Sequence, residues 1–334
     1  MNRRLRGAWL LPLPLALALA TAASPASTIY RWSDDQGRAR YADHLGADAV
    51  PGAAQRIDTQ AEPAPVARLR LQPGDDATLA LVDNLLPGPI EVMLLADPPA
   101  PVDSDPALPS RATVAPHGAA LLARIRASHP RLQVRAVPGS PSARPRDVEY
   151  AYPLPSAPLR IQQAWGGGFS HQDAENRHAV DFAAPEGTPV VAARDGIVLQ
   201  AEAGFLEAGP DEDPDLRRER ANFVRILHED GTMALYAHLQ PGGVLARVGQ
   251  QVRRGQAIGR SGNTGLSTAP HLHFVLQANR GMRLESLPFR MFGPQGILRF
   301  APPRRTAEAP DPAAGAARMA PASGGCSAGT ARPV

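Results

Sequence analysis

The protein has 334 residues, a length too great for one average domain, which predicts two or three folded units plus tails. All 35 basic residues are arginine, and three of them lie within the first six positions; without those three, the basic residues equal the 32 acidic residues in number. This balance gives no indication of nucleic-acid binding. The single cysteine, Cys326, excludes an internal disulfide framework, so stability must come from a buried core or a bound metal.

The first 26 residues have the three parts of a secretory signal peptide. Arg3, Arg4 and Arg6 precede an apolar run, which ends in small residues with an A-x-A pattern at 20–22. This run is too short and wrongly flanked for a membrane-spanning helix. We therefore expect an exported protein, periplasmic or secreted, with no transmembrane segment after signal removal. Retention of residues 1–26 as an N-terminal anchor is the alternative.

Two β-rich units are expected after the signal peptide. Residues 27–60 contain two short runs with aromatic side chains around a turn at 34–37, which is typical of a small β-hairpin domain. This stretch resembles a small domain of unknown function that is common at the N-termini of exported bacterial proteins. Residues 61–137 alternate apolar and polar positions between Gly, Pro and Asp breaks, which predicts a β-sandwich-like spacer domain. These two domains are also the candidate contact sites for envelope protein partners.

The rest of the chain divides by composition. Residues 138–154 begin with PGSPSARPRD and are predicted to be a linker, while the Ala/Pro-rich residues 301–334 are predicted to be a disordered tail. Between them, residues 155–300 contain strand-length runs separated by glycine-bearing turns, which predicts an all-β domain built on an antiparallel sheet. Six of the nine histidines fall in this domain.

The first candidate site residues are the two histidines of the sequence PHLH. Side chains two residues apart on a strand point to the same face, so His271 and His273 should project into the same space. Two such imidazoles can both bind one metal ion, or one can bind it while the other acts on bound water. Two unremarkable histidines on a strand face are the alternative for this spacing alone.

Two further segments support a metal site. His238 lies on the second strand of a hairpin turned at 229–232, with Tyr236 expected beside it on the same face. Asp181 follows a short β-type run and can supply a carboxylate. A histidine, an aspartate and a second histidine would make a three-ligand zinc site with an open coordination position, which is what catalytic zinc requires.

The first histidine ligand can be chosen by strand parity. His178 and Asp181 are three residues apart, so on a regular strand their side chains leave opposite faces. His171 is ten residues before Asp181, and the polar segment QDAENR between His171 and His178 could fold back and bring the His171 imidazole to the carboxylate. We therefore expect His171 to be the ligand, with a β-bulge at His178 as the alternative.

Three segments in order resemble the lysostaphin/LytM-type zinc metallopeptidases, which cut peptide crosslinks in bacterial peptidoglycan: HAVDFAAPEGTPVVAARDGIV, YAHL and GRSGNTGLSTAPHLHF. The resemblance implies one Zn²⁺ per chain bound by Asp181 and His273, with His238 and His271 as catalytic histidines. The common pattern of that family is H-x-x-x-D, whereas this sequence has H-x-x-D. The parity argument for His171 supplies the remaining ligand.

These observations lead to a hypothesis of function. The chain is expected to be an exported zinc endopeptidase that hydrolyses peptidoglycan crosslinks by metal-activated water. A non-catalytic envelope regulator that activates another wall hydrolase is the alternative, and a peptidase of other proteins is a third. The complete set of metal and catalytic residues favours the enzyme, because a regulator has no physical need of an open metal site.

The remaining histidines show no spacing that relates them to the zinc motifs. His228, His44, His117 and His129 are therefore expected to be exposed. The charged loop at 203–221 is expected to be solvated surface, with a role as a groove wall as the alternative.

Overall fold

The computed structural model describes residues 28–34, 36–42, 44, 54–58, 62–97, 101–127, 131–207, 217, 220–293 and 295–300. These residues contain 23 β-strands, which confirms the all-β prediction. The predicted signal peptide and C-terminal tail lie outside the described residues, as does His129. In the part of the chain described, no helix is long and apolar enough to cross a membrane.

The N-terminal unit is a three-stranded antiparallel sheet with the strand order β2-β1-β3. Its strands are β1 (Thr28–Ser33), β2 (Ala39–Ala42) and β3 (Gln55–Asp58). The turn expected at 34–37 joins the first two strands, and Gly37 closes it with a φ of 73°, a conformation that glycine adopts without steric cost. The Asp34 carboxylate accepts hydrogen bonds from the backbone of Gln36 and Arg38, which stabilises the turn.

Residues 66–138 form two antiparallel sheets that enclose an apolar core. The first sheet has the order β4-β5-β9-β7, with strands β4 (Ala67–Pro73), β5 (Thr78–Asn84), β7 (Ser104–Asp105) and β9 (Ala119–Ile125). The second has the order β10-β6-β8, with β6 (Ile90–Ala96), β8 (Ser110–Val114) and β10 (Leu132–Pro138). Alternate residues of β5 and β6, including Ala80, Val82, Val92 and Leu94, are fully buried, as expected for strands of a sandwich.

The C-terminal domain is built on a large sheet with the main order β12-β13-β20-β17-β16-β15-β18. Its strands are β12 (Ile161–Gln163), β13 (Val180–Ala183), β14 (Pro189–Val191), β15 (Gly196–Glu202), β16 (Asn222–Leu227), β17 (Met233–Val244), β18 (Gln251–Val252), β19 (Ala257–Ser261), β20 (His271–Asn279) and β21 (Leu284–Ser286). Every strand pair that the described residues form in this sheet is antiparallel, as predicted.

The two faces of this sheet have different contents. On β20, Leu272, Phe274 and Leu276 point into the main apolar core, where Phe274 packs against Tyr236 with ring centroids 5.2 Å apart. The alternate positions of β20 therefore point to the opposite face, and these include His271 and His273. The alternation places both histidines on one face, as the sequence indicated.

A small third sheet lies beside the main core, in the order β11-β22-β23. Its strands are β11 (Glu149–Ala151), β22 (Arg290–Gly293) and β23 (Gly296–Arg299), with β11 parallel to β22. Tyr150, Tyr152 and Leu154 are buried in the core of the large sheet. The segment interpreted as a linker therefore contributes apolar side chains to the C-terminal domain.

The sandwich packs directly against the large sheet. Leu199, Met233 and Leu284 belong to the large sheet and are buried in the core of the sandwich. Gly139 has a φ of 84° and passes so close to Met233 that an added Cβ would lie 2.8 Å from the methionine Cε. Because Met233 pairs with Gln277 on β20, the sandwich covers one end of the face that carries His273.

Candidate metal centre and adjoining cavity

Asp181 and His273 form the centre of the site. They are paired residues on the adjacent antiparallel strands β13 and β20, so their side chains project side by side from one face of the sheet. His273 Nδ1 lies 2.9 Å from Asp181 Oδ1. The second carboxylate oxygen, Oδ2, accepts a hydrogen bond of 3.2 Å from Gln163 Nε2. Gln163 therefore orients the carboxylate so that Oδ1 faces the histidines.

His171 reaches the same carboxylate from the preceding loop. Its Nε2 lies 3.3 Å from Asp181 Oδ1, and the imidazole is fully buried. The ring is held from behind, because Nδ1 donates a hydrogen bond of 2.9 Å to the carbonyl of Ala164. This bond turns Nε2 towards Asp181, which is the arrangement of a histidine metal ligand supported from its other nitrogen.

The loop that carries His171 is closed by short-range hydrogen bonds. Gly166 N donates to the carbonyl of Arg177 at 2.8 Å, which joins the two ends of the loop. The Asp173 carboxylate accepts hydrogen bonds from the backbone of Glu175 and Asn176, as in an Asx turn. The loop therefore folds back as the polar composition of QDAENR suggested.

The three side chains fit a metal ion. One ligand atom from each of His171, Asp181 and His273 lies within 4.8 Å of the others. In a tetrahedral zinc site with bonds of 2.0–2.1 Å, neighbouring ligand atoms are about 3.3 Å apart, close to the separations of 2.9 and 3.3 Å in this cluster. His171 Nε2 is also enclosed and has no hydrogen-bond partner, as expected of an atom that would bind a metal.

His178 lies outside this cluster. Its Nδ1 is 3.0 Å from the carbonyl oxygen of Ser286, and its ring packs edge-on against Trp165 with centroids 5.1 Å apart. Burial lowers the pKa of this imidazole. His178 therefore has structural partners of its own, on the opposite side of the chain from Asp181, and no bulge redirects it towards the carboxylate.

His238 reaches the site through an irregularity in β17. Its φ is 62°, in the left-handed region that residues other than glycine seldom adopt, and the pairing register of β17 shifts at this point. Tyr236 points into the apolar core, whereas the His238 ring lies 4.6 Å from the ring of His271 and 5.7 Å from that of His273. The expectation that Tyr236 and His238 share a face is wrong, because the bulge turns the histidine to the other face.

The two histidines beside the cluster are held in the same way. The Nδ1 atom of His238 lies 2.7 Å from the carbonyl of Thr264, and that of His271 lies 2.7 Å from the carbonyl of Ala269. These bonds assign the proton of the neutral ring to Nδ1 and leave Nε2 as an acceptor. His271 Nε2 lies 3.7 Å from Asp181 Oδ1, so it faces the cluster.

Burial and mutual charge control protonation in the site. Burial lowers the pKa of His238 to about 3, and it also lowers the pKa of His271. Burial alone would raise the pKa of Asp181, but its contacts with His171 and His273 hold the pKa well below the usual range. At neutral pH the Asp181 carboxylate is therefore ionised and the imidazoles of His238 and His271 are neutral, whereas contact with Asp181 raises the pKa of His171 against the effect of burial.

A cavity of about 770 Å³ adjoins the cluster. His238, His273 and Pro63 line it together with Leu284, which is also buried in the core of the sandwich. Arg225 of β16 lies in its lining, on the same face of the sheet as His273. The cavity therefore extends the metal centre along the sheet towards the N-terminal half of the chain.

The histidines expected to be exposed differ in their environments. His44 and His117 are exposed, as expected. His228 is buried, with its Nδ1 2.7 Å from the carbonyl of Asp195 and its ring 5.7 Å from Tyr150. The expectation of exposure for His228 is wrong, because the 139–148 segment and β11 cover the hairpin turn beside it.

Several residues that support the site carried no recognisable signal in the sequence. Gln163 positions the Asp181 carboxylate, while the carbonyls of Ala164, Thr264 and Ala269 position the three histidine rings. Backbone carbonyls are present at every position, so only the fold reveals which of them serve as second partners of histidines.

Known families match two parts of the chain. Residues 175–284 match peptidase family M23, and residues 16–70 match a domain of unknown function, DUF4124. The M23 match contains Asp181, His238, His271 and His273, and it begins four residues after His171.

Curated relatives resemble the same region. A peptidoglycan DD-endopeptidase of Vibrio cholerae is 41% identical over 99 residues, which cover 30% of this chain and 20% of that protein. A glycyl-glycine endopeptidase of Staphylococcus capitis is 40% identical over 105 residues, or 31% of this chain and 25% of that protein. An uncharacterized metalloprotease of Buchnera aphidicola is 37% identical over 95 residues, which cover 28% of this chain and 21% of that protein. The matched region thus spans a quarter or less of the length of these relatives.

Solved structures also match. The M23 catalytic domain of the prophage-encoded EnpA protein of Enterococcus faecalis is 25% identical, with a TM-score of 0.31, and the match covers 41% of this chain and 93% of that one. The catalytic domain of lysostaphin from Staphylococcus simulans is 32% identical, with a TM-score of 0.25, and the match covers 39% and 80%.

Proposed function

Because residues 175–284 form a domain of peptidase family M23, we propose that the protein is a zinc-dependent endopeptidase that hydrolyses peptide crosslinks of bacterial peptidoglycan. The observation that carries this proposal is the cluster of His171, Asp181 and His273, with His238 and His271 directly beside it. Three ligands on one face leave a coordination position open, which distinguishes a catalytic zinc site from a closed structural one.

The donor set favours zinc. Two imidazoles and one carboxylate are a ligand combination that catalytic zinc uses. Among the described residues, no cysteine thiolate, which would suit a softer metal, belongs to the cluster. A zinc ion held there would polarise the scissile carbonyl group and lower the pKa of a water molecule towards neutrality. Gln163 and the carbonyl of Ala164 would keep two of the ligands oriented.

His238 and His271 are assigned to proton transfer and to stabilisation of developing charge. In both, Nδ1 is fixed on a backbone carbonyl. His271 Nε2 faces the cluster, 3.7 Å from Asp181 Oδ1, and the His238 ring lies 5.7 Å from that of His273. A neutral imidazole so held can accept a proton from the attacking water and, once protonated, donate a hydrogen bond to the oxygen that becomes negative. The strained backbone at His238 places its ring within 4.6 Å of the ring of His271, so the two can act on the same reacting atoms.

The substrate class is supported by the relatives. Two of them are a peptidoglycan DD-endopeptidase and a glycyl-glycine endopeptidase, and these names indicate different peptide bonds. The proposal for this chain is therefore cleavage of the peptide crosslink as a class. The signal-like pattern of residues 1–26 supports export to the compartment in which that polymer lies, periplasmic or outside the cell.

The test uses the full-length chain and purified crosslinked peptidoglycan. Mass spectrometry of the released peptides should show new amino and carboxyl termini at a crosslink. Chelation should abolish this release, and one equivalent of Zn²⁺ per chain should restore it. His271→Ala, in which zinc should still bind, serves as the inactive control. Absence of cleavage by the zinc-loaded chain, combined with metal-independent activation of a separate wall hydrolase, would support the regulator instead.

A further inference from the structure

The cavity beside the metal centre contains a buried cation, Arg225, that forms no ion pair with a carboxylate of the described residues. Arg225 is 8% exposed, and its only hydrogen-bond acceptor among the described residues is Gln277 Oε1, which its Nη1 contacts. Its Nε is enclosed and has no acceptor. A buried guanidinium is normally paired with a carboxylate, because an uncompensated charge is costly in a medium of low polarity.

Gln277 fixes the orientation of this guanidinium. The Gln277 side chain donates from Nε2 to the carbonyl of Glu175 at 3.0 Å, so its Oε1 must face Arg225. The plane of the guanidinium is also held by Phe223, whose ring centroid lies 5.9 Å from Arg225 Cζ. With Nη1 engaged, the edge formed by Nε and Nη2 remains, and this edge matches the two oxygens of a carboxylate.

Among the described residues that line the cavity, no carboxylate forms an ion pair with Arg225. Asp173 is committed to backbone donors of its own loop. Glu175 acts on Arg225 through its charge but forms no ion pair with it among the described contacts, and burial lowers the pKa of Arg225 to about 10 despite that charge. Arg283, at the mouth of the cavity, is paired with Glu285 at 2.6 Å.

The strand register relates Arg225 to the metal centre. Phe223, Ala237 and His273 are successive cross-strand partners on β16, β17 and β20, and Arg225 lies two residues further along β16 on the same face. Strand spacing and rise place the Cα atoms of Arg225 and His273 about 12 Å apart. An extended peptide covers that distance in about three residues.

We infer that this cavity is a subsite for a carboxylate group of the peptide substrate, with Arg225 as its anchor. The inference deepens the proposed function, because it names a chemical group within about three residues of the bond that is cut. Arg225 is a specificity-determining residue in this scheme. Its role is to hold the substrate carboxylate, while the residues around Asp181 act on the scissile bond.

The test measures binding, so that it does not depend on turnover. Full-length protein carrying His271→Ala is titrated with purified crosslinked muropeptide dimers by calorimetry. It is also titrated with the same dimers after carbodiimide coupling to ammonia, which converts carboxylates to carboxamides. We expect the untreated dimers to bind at least tenfold more tightly. In His271→Ala with Arg225→Gln, both forms should bind equally, at the affinity of the amidated dimers.

The matched control is Arg283→Gln, which removes an exposed arginine from the same cavity and should keep the preference within about threefold.

Each outcome decides the inference. The inference would be overturned if the His271→Ala protein with Arg225 intact bound both dimers equally or did not bind the untreated dimers. A preference that survives Arg225→Gln would overturn it too. If Arg225→Gln fails to fold, Arg225→Lys keeps the charge but cannot offer two parallel donors, and an undiminished preference in that variant would overturn the inference as well. The binding preference could depend on Arg225 while the zinc-loaded natural chain cleaves neither dimer. This result would contradict the proposed hydrolase and leave the carboxylate subsite supported.

Discussion

His273 Nδ1 lies 2.9 Å from Asp181 Oδ1, and the two residues are direct cross-strand partners on β20 and β13. This pairing makes the site a property of the sheet itself, because the register of two antiparallel strands sets the distance between the side chains. His171 is the third member and comes from a loop, so its position depends on the hydrogen bonds that close 164–177. The rigid pair and the loop ligand should therefore respond differently to substitution.

The choice between two histidines gives the first prediction. His171→Ala in the full-length chain should lower zinc affinity by two orders of magnitude or more, because it removes one of three protein ligands. His178→Ala should keep one zinc per chain, because its ring contacts Ser286 and Trp165 instead of Asp181. Metal analysis after dialysis against a buffered zinc concentration would measure both. Zinc loss in His178→Ala with zinc retained in His171→Ala would contradict the assignment.

A second prediction separates catalysis from metal binding. His238→Ala and His271→Ala should each retain zinc and reduce kcat for peptidoglycan cleavage by about 10²–10⁴, the usual contribution of general acid–base groups. The control is His117→Asn, because this exposed residue has a φ of 52°, which asparagine tolerates. Its kcat and zinc content should be those of the natural protein. Loss of zinc from His271→Ala would make that residue a ligand and refute its assigned role.

The parts of the site that follow a regular period could be predicted from the sequence. The two-residue spacing of His271 and His273 places both on one face of β20. His178 also points away from Asp181, but strand parity is not the reason, because His178 lies in a turn before β13 and is held there by Ser286 and Trp165. His238 could not be placed in this way. Its positive φ and the register shift of β17 reverse the alternation at one residue, and nothing in the local sequence indicates such a bulge.

The burial of individual residues could not be predicted from the sequence where it depends on segments that are distant along the chain. His228 follows a strand and precedes a tight turn, which is usually an exposed position, yet it is covered by residues from the N-terminal side of the domain. Tyr150 and Leu154 follow a proline-rich stretch and still reach the main core. Local composition describes turn propensity, whereas burial depends on which segments pack together.

The buried His228 leads to a prediction about pH. Burial lowers its pKa to about 4, whereas an unfolded histidine has a pKa of about 6.5. The unfolded state therefore binds more protons between these values, so the stability that depends on neutral His228 is complete above pH 6.5 and decreases as the pH falls towards 4. This group should account for a loss of about 2 kcal/mol between pH 7 and pH 5.

Urea denaturation at both pH values tests this expectation. The loss of unfolding free energy between pH 7 and pH 5 should be smaller in His228→Asn by about the same 2 kcal/mol, since asparagine keeps a donor for the Asp195 carbonyl and does not titrate. Equal losses in the two proteins would show that His228 is protonated in the folded state at pH 5, contrary to its buried environment.

The contact between the sandwich and the large sheet gives the last prediction. Leu199 belongs to β15 of the large sheet but is fully buried in the core of the sandwich, so Leu199→Ala should destabilise the full-length chain by about 2–5 kcal/mol. Leu71→Ala, at a position 44% exposed on β4, removes the same atoms and should change stability by about 0.5 kcal/mol or less. Chemical denaturation, followed by a probe in each half of the chain, should show one common transition in the natural protein, because the two halves share an apolar core. Two separate transitions, with Leu199→Ala affecting neither midpoint, would mean that the sandwich and the large sheet are energetically independent.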